Sequence, residues 1–125
     1  MVGFFDAEAN KEDVEAFEAY AAEHRHDMRF AMATAADVKE ANKVKSGMVV
    51  YVYKAPKFVS DKYDKKKARY PGKSLDAKAL AKFVNKKALP LVAQKTWKSN
   101  AMYEAAGKPV LTLFTSVDLE KNAKG

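Results

Sequence analysis

Gly47-Met-Val-Val-Tyr-Val-Tyr-Lys-Ala-Pro56 is the stretch on which the reading of the fold turns. Met48 to Tyr53 is a β-branched and aromatic run, opened by Gly47 and closed by Ala55-Pro56, and such a run is a strand. Its hydrophobicity is continuous, so burial on both faces is expected, as in a sheet with helices on either side. Working outward, Val2 to Phe5 is a second short apolar run ended by Asp6. Asn10 stands where a helix cap belongs, Glu12, Asp13 and Glu15 suit the positive end of the helix dipole, and Val14, Phe17 and Ala21 recur at helical spacing to about His24. Met28, Phe30 and Met32 alternate with smaller or polar residues, predicting a strand over 28–33 with those three on its buried side. Thr34 then caps a short helix carrying Val38, Ala41 and Val44, stopped by Ser46 and Gly47.

Beyond Pro56 the alternation is weak, and Phe58 to Tyr63 is expected as an exposed edge strand running into a lysine-rich segment. Pro71-Gly72 marks a turn, Ser74 caps a helix with Leu75, Ala79, Leu80, Phe83 and Val84 on one face, and Lys78, Lys82 and Lys86 face water. Leu89 to Ala93 reads as extended, Ser99 to Ala106 as a helix stopped by Gly107, and Pro109 to Thr115 as a strand. The alternation of strands and helices predicts an α/β sandwich, a mixed sheet with helices on both faces. The 125 residues, 48% of them hydrophobic, suit a single domain.

Charge and chemistry narrow the function classes. The net charge of +7 is uneven. Residues 1–53 carry 6 basic and 10 acidic groups, residues 54–87 carry 12 and 3, and residues 88–125 carry 5 and 3. The excess centres on Lys65, Lys66, Lys67 and Arg69, the candidate partner-binding residues, whose field would attract an acidic partner. Tyr63 and Tyr70 flank this run, as in a nucleic-acid patch, and a small basic nucleic-acid-binding domain using Lys54 to Lys87 is the alternative reading. A solvated edge is the commoner use of such a charge run.

Cysteine is absent, which removes disulfides, thiol nucleophiles and thiolate metal sites together. No catalytic, cofactor or metal residues are assigned. His24 and His26 lie two apart, on different sides of a helix end, and suit its negative pole better than a shared metal. The five glycines form no phosphate loop, and Ser, His and Asp lack hydrolase spacing. No apolar run approaches the length that crosses a bilayer, and Met1 to Phe5 lead into acidic residues rather than a signal peptide. Trp97, Met102 and Tyr103 could form a contact surface, but core packing is the more frequent role of such side chains.

The string Val2-Gly3-Phe4-Phe5, the helix ending near Arg25, the strands around Phe30 and Val49-Val50-Tyr51 and the Phe83-Val84 helix together resemble the non-catalytic b-type thioredoxin-like domain of the protein disulfide isomerase family, over residues 1–88. Leu89-Pro90-Leu91-Val92 and Lys108 to Phe114 look like the start of the following module in the larger, multi-module lumenal members. The resemblance implies a redox-inactive binding and spacer module, residence in the endoplasmic reticulum lumen, and partners among unfolded or partly folded clients and acidic co-chaperones. In catalytic relatives a Cys-x-x-Cys opens the helix after the first central strand; here that place reads Asp6-Ala7-Glu8-Ala9-Asn10.

In the family a strand and helix stand before the segment matching Val2 to Phe5. Equivalent pieces lie at the other end of this chain, so residues 89–125 are expected either to begin a next module or to complete this fold in circularly permuted or swapped form. The latter includes a domain-swapped dimer. Completion is the preferred expectation, because an uncovered sheet edge would expose apolar surface.

Overall fold

The computed structural model describes residues 1–6, 8–45, 47–54, 56, 59–107 and 109–118, Lys98 by its backbone alone. Strand β1 (Val2–Phe4) is the central organiser. It pairs parallel with β2 (Ala31–Ala33) and antiparallel with β3 (Val49–Tyr53), which in turn pairs antiparallel with β4 (Lys67–Arg69). The sheet order is β2-β1-β3-β4, a mixed sheet of the predicted α/β class. Helix α1 (Lys11–His24) joins the parallel pair, α2 (Ala36–Ala41) connects β2 to β3, and α3 (Ala77–Lys87) and α4 (Trp97–Ala105) follow β4.

Strand alternation sorts the sheet's side chains onto two unequal faces. On one face Phe5, Val50, Val52 and Tyr70 meet Phe17 and Tyr20 of α1 and Leu80, Phe83 and Val84 of α3, forming the main core. Rings pack edge to face there, Phe5 on Phe17 at 5.4 Å and Tyr70 on Phe83 at 5.3 Å between centroids. On the other face Phe4 and Val49 are covered by Val44, just beyond α2, in a much smaller cluster. The expectation that β3 is buried on both faces is therefore half right. Val50 and Val52 are buried, whereas Val49, Tyr51 and Tyr53 grade from buried to exposed along the second face, because Val44 packs only at its Phe4 and Val49 end.

The absence of a side chain at Gly3 lets the Phe5 ring lie across the strand. A Cβ at Gly3 would stand 2.8 Å from Phe5 Cζ and 3.1 Å from Phe17 Cε2. Neither ring has room to give, since Phe5 and Phe17 are both buried. Gly3→Ala is expected to destabilise the domain by about 1–3 kcal/mol, the usual cost of overpacking, read as a lower urea midpoint with unchanged slope.

Several boundaries differ from the sequence reading, each for a local reason. The strand predicted over 28–33 is confined to Ala31–Ala33, and Met32 is 39% exposed on a sheet edge. Ala35 rather than Thr34 precedes α2, and Asp76 rather than Ser74 caps α3, accepting the Ala79 N–H at 2.9 Å. Of the expected edge strand over 58–63, Phe58 lies outside the described residues, as does Ser46 at the end of the second helix. Residues 59–63 form no strand; a turn runs over 61–63, and the Asp64 N–H donates to the Ser60 carbonyl. The edge strand is Lys67–Arg69 instead, where Ala68 faces the core between two outward basic residues.

Helix α4 begins two residues earlier than expected, because Thr96 and Ser99 form a reciprocal capping box. Gly107, at φ 65°, ends it as predicted. Residues 89–93 and 109–118 contain no strand, so the outer edge of β2 receives no further strand among the described residues. Leu111 is 99% and Phe114 88% exposed. Packing of Trp97 in the core is likewise overturned: the side chain is 87% exposed at the first turn of α4.

Candidate binding face

The loop between β1 and α1 is the place where a catalytic relative would carry its thiols. Asp6 stands there, and its carboxylate accepts from the Lys39 ammonium of α2 and from the Gly47 N–H at 2.6 Å. These hydrogen bonds, Lys39 first and Gly47 second, lower the Asp6 pKa below the usual carboxylate range. Asn10 stands at the N-cap position of α1 as predicted, and its side chain accepts the Asp6 N–H at 3.1 Å instead of a first-turn N–H. Ala7 lies outside the described residues. The arrangement is a tether between β1, α2 and the start of β3, built on a carboxylate kept ionised.

A depressed folded pKa contributes stability that is present above the unfolded value and lost as pH falls through the folded value. Asp64 shares this direction, its carboxylate held ionised mainly by Lys54. Stability to urea is therefore expected to hold from neutral pH down to roughly pH 4 and to decline below it. Asp6→Asn should flatten that decline, which denaturation curves at pH 7 and pH 3 would measure.

The lysine cluster is divided by the fold. Lys65 and Lys66 lie in the loop before β4, with the Lys66 ammonium 3.0 Å from exposed Asp61 and its carbonyl accepting the Lys54 N–H. Lys67 and Arg69 lie on β4, on the less covered face, opposite Tyr53 and Tyr51 respectively. The Lys67 ammonium sits 4.4 Å from the centroid of the Tyr51 ring. Such a cation–π contact contributes about 0.5–1 kcal/mol at an exposed site and leaves the charge accessible.

Tyr51 and Tyr53 are the residues that sequence reasoning missed. Their rings lie 6.4 Å apart, and Tyr51 also meets Phe4 edge to face at 6.4 Å. Tyr53 is 45% exposed, and half-buried Val2 lies beside Tyr51 across the β1–β3 pair. The result is an aromatic and basic stripe, Val2, Tyr51, Tyr53, Lys67 and Arg69, on the less covered face of the sheet, beyond the Phe4, Val44 and Val49 cluster. The available signal was the alternation within 49–53, where the tyrosines occupy the same parity and each has an apolar ring with a polar tip.

The stripe can bind but holds no nucleophile and base in contact. Among the described residues no group of three or more His, Cys, Asp or Glu side chains is arranged for a metal ion. His24 stacks on Tyr20 with centroids 4.3 Å apart and faces Asp27 at 3.7 Å, while His26 receives the Arg25 Nε–H at 3.3 Å. The histidines are thus engaged separately. Among the described residues no helix is long and apolar enough to cross a membrane.

Comparison with known proteins bears on the whole architecture. No curated protein matches the chain. The family model of a thioredoxin-like domain matches residues 5–124, from the residue after β1 through α1 to α4 and the segment beyond α4. The chain belongs to the thioredoxin-like domain family.

Proposed function

We propose that this chain is a redox-inactive binding and spacer module of a protein disulfide isomerase, acting in the endoplasmic reticulum lumen. It contributes to binding of unfolded clients or an acidic co-chaperone and positions catalytic neighbours. The observation that carries the reading is the occupied redox position. Where thiols would open α1, Asp6 is tied to Lys39 and Gly47, and cysteine is absent throughout. Thiol–disulfide exchange needs an attacking thiolate, which no other side chain replaces.

Binding is supported by the stripe of Tyr51, Tyr53, Lys67 and Arg69. Tyrosine and arginine are the side chains enriched where proteins bind proteins, and the local basic excess selects acidic partners. Nucleic acid is the less favoured ligand, because the fold separates Lys65 and Lys66 from the aromatic face and engages Lys66 with Asp61.

Refolding of a scrambled-disulfide substrate tests the reading. The expected rate equals that of the buffer control, while aggregation of the same client, once reduced, falls at stoichiometric amounts of the chain. Turnover above the control overturns it, as does salt-dependent nucleic-acid binding that is lost on replacing Lys65, Lys66 and Lys67 by glutamate while client aggregation is unaffected.

A further inference from the structure

The peptide group between Pro90 and Leu91 is gripped at both ends by side chains from different parts of the chain. Its carbonyl accepts the Tyr103 hydroxyl of α4 at 2.6 Å. Its N–H donates to both carboxylate oxygens of Asp64, at 3.3 and 3.4 Å. Asp64 is itself anchored to the sheet: the Lys54 ammonium, at the end of β3, pairs with it, and the Ser60 N–H donates to it at 3.4 Å. Its side chain is 1% exposed, although it follows three residues, Asp61 to Tyr63, that are exposed.

The side chains of Leu91 and Val92 do not supply this hold. Leu91 and Val92 are both exposed, and no described side chain of α4 is fully buried. A buried carboxylate must be paired and hydrogen-bonded to be retained, and here two of its bonds are spent on one linker amide. Burial and, secondarily, the Asp64 charge push the Tyr103 phenol pKa up, so its hydroxyl keeps the proton it donates.

We infer that Asp64 and Tyr103 are positioning residues of a polar joint that clamps the Pro90–Leu91 peptide and sets the direction in which the chain after α3 runs from the sheet. This rests on the spacer reading, because a spacer is useful only where its exit is fixed. The hold consists of one ion pair and three side-chain hydrogen-bond contacts to the peptide. The segment can thereby be directed without joining the core.

The absence of native cysteine allows spin labels at Glu18→Cys on α1 and Ala101→Cys on α4, both exposed. A single narrow distance distribution is expected. Asp64→Asn, and independently Leu91→Pro, which removes the clamped N–H of an exposed residue while also fixing its φ and restricting Pro90, should broaden it. Tyr103→Phe should speed exchange of the Leu91 amide at least tenfold, and Asp61→Asn should change neither readout. Should Asp64→Asn unfold the sheet, Leu91→Pro decides.

A broad distribution in the parent labelled chain, or a narrow one retained in Leu91→Pro, overturns the joint. Client affinity separates this from the proposed function. Binding that persists while the distribution is broad removes the joint alone, and a narrow distribution without client binding removes the binding role alone.

Discussion

Reversing both charges on β4, Lys67→Glu with Arg69→Glu, is expected to weaken binding of an acidic unfolded client about tenfold at low salt. The two residues share the face of Tyr51 and Tyr53, and each reversal replaces an attraction to the client by a repulsion. Exposed charge pairs contribute roughly 0.2–1 kcal/mol each. Two reversals therefore reach the roughly 1.4 kcal/mol that corresponds to a factor of ten. Fluorescence anisotropy at about 0.01 M and about 0.15 M salt should show the difference shrink as the Debye length falls. Lys65→Glu with Lys66→Glu, an equal charge change placed in the loop, should cost only two- to threefold. Equal losses from the two pairs would mean that net charge alone attracts the client, and that the stripe has no part in it.

Phe5→Ala is expected to cost about 3–5 kcal/mol, the range for removing a fully buried aromatic ring. Phe5 is completely buried, packs on Phe17, and lies directly over Gly3. Its N–H also donates to the Ala33 carbonyl at 3.0 Å, which registers β1 against β2, so the cavity would open at the sheet's organising strand. Native domains are stable by about 5–15 kcal/mol, and this loss would take a large share of that. Urea denaturation followed by circular dichroism would read it directly. Met32→Ala, on the exposed edge of β2, should stay within about 0.5 kcal/mol, as surface substitutions do.

How much of this was legible depended on whether the deciding contact was local. Strand β1, α1, β3 and α3 could be read because their periodicity is carried by neighbouring residues such as Phe17, Val50 and Phe83. Tyr20 escaped the predicted stripe of α1, although it lies three residues beyond Phe17 and is buried with it. The start of α4 was also local, in the Thr96 and Ser99 pairing, and was read two residues late.

Other features depended on partners far along the chain. Whether Tyr51 and Tyr53 are covered depends on what packs over the second face, where Val44 meets Phe4 and Val49, which no pattern within 49–53 encodes. Val110 to Phe114 has strand composition but no pairing partner in the described structure, and β-propensity expresses packing against neighbours more than an intrinsic backbone preference. Asp64 looks like one acid among lysines, yet it is buried by Lys54, Ser60 and Leu91, up to 27 residues away. Half of the candidate cluster, Lys67 and Arg69, falls on the binding face, because alternation along β4 sends both past buried Tyr70 to the opposite side of the sheet.

The central claim, that a cysteine-free member of this family binds through the less covered face of its sheet, is tested most directly by titrating an isotope-labelled chain with a reduced, acidic, unfolded polypeptide and following backbone amide shifts. The account predicts saturable changes concentrated at Val2, Tyr51, Tyr53, Lys67 and Arg69, with little change along α1 and α3. Changes confined to residues 109–118 or to the loop around Lys65, with the sheet residues silent, would contradict it.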